Sequence, residues 1–401
     1  MTDLFWPGDH RAGQLMSDRA FLAAMVAVEQ AWLDSLIDAR IAATDARADL
    51  ARVITDEDLE RIACGADADG NPAAPVVALL RKRTAASTAR WLHRGLTSQD
   101  VIDTALILCV RDVLTEVADE ATSQIQSLIE LIEKYRATET LARTLTQAAL
   151  PSTLGVRFAH WLDGVVDAAQ PLHGLQSSLP VQVGGAVGTL AASTELTGSV
   201  DDAIALGDTF ADALGLSSAL PWHTTRSPIT RIGDALTTCC DAWGHIATDV
   251  ATGSRTEIGE LTEGAGGGSS TMPHKRNPVH SVLIRRTALT VGPLAATLHS
   301  ASAASVDERA DGAWHAEWAT LRTLARRTVV AAIHTSELLA GLQVQEGRIA
   351  ANLNDADGTR SEQHTMAELT GRLPGAAYLG AAQRITDATL TRARSFLKER
   401  Q

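Results

Sequence analysis

The 401-residue chain is 45% apolar and 21% charged, the balance of a globular protein long enough for two or three domains. Its 35 Lys and Arg against 48 Asp and Glu leave a formal charge of −13. That field repels nucleic acid and anionic lipid, and an aromatic content of 4% leaves little for base stacking, so an anionic small molecule needs cations gathered locally.

The N-terminus, MTDLFWPGDHRAGQLMSDRAF, mixes acids and bases and has no apolar core ahead of a small-residue cleavage site. No run approaches the roughly 18 apolar residues of a membrane span. The expected compartment is the cytoplasm. Cys64, Cys109, Cys239 and Cys240 show no CxxC spacing and lie in apolar periodic segments, which reads as core thiols rather than metal ligands.

Pro-Gly-Asp and Pro-Ala-Ala-Pro punctuate the first ninety residues. From Thr97 to Leu150 there is neither Gly nor Pro, and Val101, Ala105, Leu108, Val110, Val113, Leu114 and Val117 recur in steps near three and four. This predicts one long helix, or two with a break near Thr138, started by the hydroxyls and acid of TSQD at 97–100. Further helices are expected at about 156–175, 183–207, 228–263, 279–300 and 316–342. Period-two alternation is almost absent, so the fold class is all-α, with long helices forming a bundle core. Three regions follow: 1–96, an N-terminal helical domain; 97–342, the long-helix domain; and 343–401, a short C-terminal helical unit.

The stretch EGAGGGSSTMPHKRNP, 263–278, is too glycine-rich for helix or strand and ends in hydroxyls and cations. It is not a Walker loop, because Lys275 lies seven residues beyond Gly268 with Pro273 between them. It is not a dinucleotide fingerprint, because position 269 is serine and no strand precedes it. A plain linker explains the glycines but not the ordered hydroxyls, cations and Asn-Pro after them. A loop that closes over a substrate explains both.

Residues 268–278 closely resemble the GSSxMPxKxNP motif of the fumarase/aspartase superfamily. HRGLTSQDVIDTAL at 93–106, ARTLTQAALP at 142–151 and DERADGAW at 307–314 resemble that family's other characteristic segments. The resemblance implies an all-α, three-domain fold whose long central helices build a twenty-helix core in a homotetramer, with each active site shared between subunits. It implies addition or elimination across a carbon–carbon double bond beside a carboxylate, with no metal and no organic cofactor. Carried over by position, Ser269 transfers the proton, with Lys275 as rival donor, and Lys275 and Arg309 stabilise anionic charge. Thr97, Ser98, Thr144, Gln147, Ser270, His274, Asn277 and Arg226 are the implied substrate contacts. His93 and His223 fall in matched segments without metal-ligand spacing, and Trp222, Trp314 and Trp318 are either core or pocket wall.

In many members the second segment carries a histidine paired with a glutamate five residues after the loop asparagine. Here those positions are Leu145 and Val282. Both members of an acid–base pair are gone while the loop serine and lysine remain. The 3-carboxy-cis,cis-muconate cycloisomerases are similar in lacking the pair, and LPVQVGGAVGTLAA, PWHTTR and GAWHAEW resemble their segments. The implied substrate is a tricarboxylate, whose own carboxylate attacks the alkene and needs no general base. An adenylosuccinate-type lyase and a non-catalytic tetramer of the same fold are the alternatives.

Overall fold

The structure is a computed structural model that describes residues 3–264, 267–268, 271–272, 275–375 and 377–400. The first helices are α1 (Asp18–Asp38), α2 (Leu59–Asp69), α3 (Ala73–Arg83), α4 (Ala86–Ala89) and the long α5 (Ser98–Tyr135). A hairpin, β1 (Glu139–Thr144) and β2 (Gln147–Thr153), leads to α6 (Leu154–Gln176), α7 (Ala191–Thr197), α8 (Val200–Leu214) and α9 (Ser227–Gly253). Two-residue strands β3 (Leu261–Thr262), β4 (Gly267–Gly268) and β5 (Arg276–Asn277) precede α10 (Val279–Ala303) and α11 (Gly312–Ala340). The chain ends in β6 (Gln343–Val344), α12 (Glu346–Asn354), α13 (Ser361–Thr370) and α14 (Ala382–Lys398). The all-α class holds.

The chain divides into two compact units. One comprises Met1–Glu116, Leu172–Leu236 and Gly292–Val329; the other comprises Val117–Pro171, Thr237–Val291 and Val330–Gln401. In the first, Ser17 caps α1 by accepting from the Ala20 N–H at 3.1 Å. Trp32 of α1 meets Phe210 of α8 edge-on at 5.4 Å and donates its indole N–H to the Arg94 carbonyl at 2.7 Å. By length and composition α1 is also apolar enough to cross a bilayer, with a mean hydropathy of 1.4, but 61% of that window is buried inside the protein, as in a core helix. Cys109 is buried, whereas Cys64 is exposed because α2 buries only Ile62. Cys64 is therefore not the core residue expected.

In the second unit Trp243 donates to Gln124 Oε1 at 2.7 Å, and Gln124 Nε2 donates to the Ala332 carbonyl at 3.0 Å, so three long helices share one satisfied polar contact. Gly244 lets α9 approach α10, since a Cβ there would fall 2.6 Å from the Ala288 methyl. Cys239 and Cys240 are buried in this packing.

Three expected helical stretches are corrected, one of them the 228–263 helix, which ends at Gly253 ahead of the strand Leu261–Thr262. Residues 139–153 form an antiparallel hairpin, closed by Thr144 opposite Gln147. Its turn residues, Leu145 and Thr146, take φ of 48° and 71° although neither is Gly or Asn. Pro151 and the β-branched threonines disfavour helix there. Residues 183–190 are irregular, because Gly185 and Gly188 adopt φ of 71° and 76° and break any helix before α7.

The hairpin is anchored one residue pair from its turn by Glu260, whose side chain is 1% exposed. Arg143 donates to it at 2.8 and 3.2 Å and Asn352 of α12 at 2.8 Å, with Arg157 of α6 at 3.5 Å. Burial pushes the Glu260 carboxyl up, but the bonds from Arg143 and Asn352 outweigh it and hold the group below its ordinary value. A carboxyl that titrates lower folded than unfolded stabilises fully above its unfolded pKa, near 4.5, and this contribution fades as pH falls through the folded value. Glu260→Gln is expected to cost about 3–5 kcal/mol at neutral pH, because it strands Arg143. Thermal and urea unfolding of both proteins checks this, and the gap must narrow below pH 4.5.

Candidate active site

In the first unit the site is built from TSQD at the start of α5. The Thr97 N–H donates to Asp100 Oδ2 at 2.9 Å, as in half of a capping box. Asp100 is fully buried and also accepts from the Gly185 N–H at 3.0 Å, Gln182 Nε2 at 3.1 Å and His223 Nε2 at 3.0 Å. A carboxylate in the first turn suits the positive end of the helix. The ring of His223 fits because residue 184 is glycine; a Cβ there would lie 2.7 Å from His223 Cε1.

One turn along, Asp103 accepts from Arg226 Nη1 and Nη2 at 2.7 and 3.0 Å and from the Trp314 indole at 2.9 Å. Arg226 also donates from Nε and Nη2 to Glu317, at 3.1 and 2.6 Å, and from Nη1 to the His223 carbonyl at 3.3 Å. Burial raises the Glu317 carboxyl, Arg226 pulls it back only in part, and Asp103 adds to the rise. The TSQD, PWHTTR and GAWHAEW segments thus interlock in one buried network. Arg226 is 0% exposed and every N–H of its guanidinium is taken. This corrects its assignment as a substrate contact: it has no donor left to give. Trp222 lies under it at 4.8 Å, and Trp222 and Trp314 are core residues.

At the surface of this network Arg309 Nη2 donates to Thr97 Oγ1 and, at 3.4 Å, to the Ala186 carbonyl. Ser98 is the first residue of α5. An exposed guanidinium therefore stands beside a hydroxyl at a helix N-terminus, an arrangement suited to a carboxylate. His93, at φ 61°, is bonded to buried Glu29 at 2.6 Å, a structural pairing.

In the second unit Thr144 and Gln147 flank the hairpin turn, and residues 144–148 are exposed. Leu145, where the histidine stands in relatives with the pair, is 96% exposed, and Val282 in the first turns of α10 is 54% exposed. The glycine-rich loop has a fixed stem. Glu263 accepts from the His280 and Ser281 N–H groups at 3.0 and 2.7 Å and from Ser281 Oγ at 2.6 Å, capping α10 with a carboxylate. Gly264 lies so close to Gly341 that a Cβ would sit 2.5 Å from its carbonyl oxygen. Gly267 and Gly268 pair with Asn277 and Arg276. His280 stacks on His334 at 5.5 Å and pairs with Glu337 at 3.4 Å. Lys275 is exposed and Asn277 half-buried. Ser269, Ser270 and His274 lie outside the described residues.

Sequence reading missed Asp100, Asp103, Glu317 and Glu263. One signal was present: two acids one turn apart on a helix otherwise apolar all round require buried partners. Among the described residues no cluster of three or more His, Cys, Asp or Glu side chains is arranged to hold a metal ion.

A lyase family model matches residues 19–292. The chain is 40% identical over 390 residues to nitrosuccinate lyase of Streptomyces davaonensis, covering 94% of this chain and 80% of the relative. It is 37% identical over 309 residues to 3-carboxy-cis,cis-muconate cycloisomerase of Bradyrhizobium diazoefficiens, covering 75% of this chain and 67% of the relative. In structure it resembles the 3-carboxy-cis,cis-muconate lactonizing enzyme from Pseudomonas putida, with a TM-score of 0.84 and 27% identity over 96% of this chain and 97% of that one.

Replacing Arg226 with Met leaves Asp103 and Glu317 buried without their cation. A loss of about 3–5 kcal/mol is expected, read as a lowered unfolding midpoint, while Arg309→Met at the surface leaves the midpoint almost unchanged.

Proposed function

The chain belongs to the lyase family of the fumarase/aspartase superfamily, and from that premise we propose that it lactonises 3-carboxy-cis,cis-muconate to 4-carboxymuconolactone, a step of aromatic catabolism through protocatechuate. The observation that carries this reading is the combination of Leu145 and Val282 at the acid–base positions with an intact cation–hydroxyl pair, Arg309 and Thr97. The likeness in fold to the lactonizing enzyme supports it.

In this reading one substrate carboxylate forms a C–O bond at the alkene carbon β to another. The π electrons move into that second carboxylate as an aci-carboxylate, and a proton delivered to its α-carbon completes the lactone. The nucleophile arrives ionised, so a single proton-transfer residue suffices and no cofactor enters. Ser269 delivers the proton. Lys275, Arg309 and Asn277 hold the carboxylates and the charge that grows on the intermediate. Thr97, Ser98, Thr144, Gln147, Ser270 and His274 orient the substrate by hydrogen bonds. Arg226, with Asp103 and Glu317, positions the start of α5. The enzyme works as a cytoplasmic homotetramer of three-domain chains (1–96, 97–342, 343–401), and the exposed hairpin tip supports a site completed by another subunit.

A second reading rests on the 40% identity across 94% of the chain to nitrosuccinate lyase. In that reaction Ser269 would take a proton from the carbon beside one carboxylate, the C–H electrons would form the C=C bond, and nitrite would depart with the electron pair of the broken C–N bond. Nitrite is a stable anion and needs no general acid, so the missing pair fits that elimination equally. The purified enzyme is offered both substrates, with muconate absorbance and nitrite release as readouts. Loss of muconate absorbance is expected; nitrite release alone transfers the assignment, and inertness toward both rejects each reading.

Ser269→Ala is expected to lower kcat by roughly two to four orders of magnitude, the range for losing a proton-transfer group. Refolding it together with a Thr144→Ala, Gln147→Ala variant tests the shared site. Random mixing of chains restores up to about a quarter of wild-type activity if the loop and the hairpin reach one site from different subunits. Mixed tetramers, confirmed by native mass spectrometry, that stay as inactive as the parents mean that one chain supplies both segments.

A further inference from the structure

His315, in the GAWHAEW segment, makes two hydrogen bonds that a neutral ring cannot make together. Its Nδ1 lies 2.9 Å from the Asp311 carbonyl oxygen, one turn back at the start of α11, and its Nε2 lies 2.9 Å from the Gly70 carbonyl oxygen, just past the end of α2. A carbonyl oxygen only accepts. Neutral imidazole has a single N–H and would set the lone pair of its other nitrogen against a carbonyl, whereas imidazolium donates from both nitrogens. The arrangement therefore demands the charged ring.

The surroundings agree with that charge. Gly70 is the C-cap of α2, at φ 70°, so its carbonyl stands at the negative end of that helix. The ring packs on Trp318 at 4.7 Å, tilted by 44°, within the distance at which an indole attracts a cation. On α11 the nearby titratable groups are Asp311, Glu317, which is turned inward onto Arg226, and Arg322, which is paired with Asp18 at 3.0 Å. In its last turn α2 carries Asp67 and Asp69, and its one base, Arg61, is in its first turn; α3 opens on Ala73, Ala74 and Pro75, none of which titrates.

The two bonds tie the turn after α2 to the first turn of α11. Asp311 is two residues beyond Arg309, whose guanidinium donates to Thr97 Oγ1. We propose that His315 is a positioning residue: as imidazolium it clasps the end of α2 to the start of α11 and so holds Arg309 on Thr97, and the clasp opens when the ring loses its proton. Imidazole changes charge between about pH 5 and 8, so substrate capture is tighter at the acid end of that range. The effect on capture rests on the reading of Arg309 as a carboxylate contact; the clasp itself does not.

Two variants bracket the two states of the ring. His315→Gln offers donors on one nitrogen only, like the neutral ring. His315→Arg keeps a permanent charge with donors on separate nitrogens, and Arg94 of this chain already bonds the carbonyl four residues back through Nε at 2.9 Å. Each full-length protein is digested at about pH 6 and about pH 8.5, either side of the ordinary imidazole value, with a protease that cuts before aspartate, and the fragment beginning at Asp69 is followed. That cut requires the last turn of α2 to open. Comparing proteins at one pH cancels the protease's own pH dependence. At the lower pH the wild type is expected to be cut about three- to fivefold more slowly than His315→Gln, the low end of what one hydrogen bond is worth, and at the higher pH equally fast; His315→Arg stays slower than His315→Gln at both. KM for whichever of the two substrates is turned over follows the same pattern, with kcat within about twofold. A wild type cut as fast as His315→Gln at the lower pH, or a difference that is the same at both, overturns the clasp. Cleavage that follows the pattern while KM does not overturns the hold on Arg309. Inertness toward both substrates rejects the reading of function, and cleavage then decides the clasp alone.

Discussion

A guanidinium with no exposure to water sets the terms for the first unit. Desolvating Arg226 costs several kcal/mol, and only a complete set of acceptors offsets it. Asp103, Glu317 and the His223 carbonyl provide that set. Because the arrangement is favourable only when whole, residues from three distant parts of the chain depend on one another, and the α5 terminus inherits their rigidity. The neighbouring Asp100 extends the constraint: its four donors include the Thr97 N–H, so the hydroxyl beside Arg309 is held from behind. PWHTTR and GAWHAEW matter for what they fix in place.

The second unit relies on two glutamates. Glu260 ties the hairpin to α6 and α12, and Glu263 ties the glycine-rich stretch to the start of α10. Both are buried acids made affordable by donors fixed in advance. The hairpin tip, by contrast, is strained: two L-residues occupy left-handed backbone at a turn that glycine or asparagine would form at less cost. The strained tip is exposed, and Arg143, two residues before Leu145, anchors it on Glu260.

The long helices α5, α6, α9, α10 and α11 were legible because apolar spacing near 3.6 persisted over many turns. The hairpin was not, since Leu145 and Thr146 carry no turn signal and 139–153 contains no glycine. Residues 183–190 were misread although their glycines were visible, because apolar neighbours suggested a helix that positive φ forbids. At the site, Thr97 and Arg309 were found through motif order, and the structure brings them together. The role of Arg226 was not legible. A motif shows that an arginine is wanted but not whether it faces substrate or core, and its partners lie about a quarter of the chain away.

The stem formed by Glu263 and the start of α10 makes the intervening glycine-rich segment a closed ring in all but covalent terms. The entropy of closing such a ring grows only with the logarithm of its length, about 0.6 kcal/mol per doubling. Insertions, deletions and exchanges between the two anchor points therefore alter the ring's contents at little thermodynamic cost to the helices that bear it. Gly264, pressed on Gly341, and Gly267, where a Cβ would fall 2.4 Å from Val279 Cγ2, leave no room for a side chain. The helices that carry the segment are thus held by its two ends and not by its length.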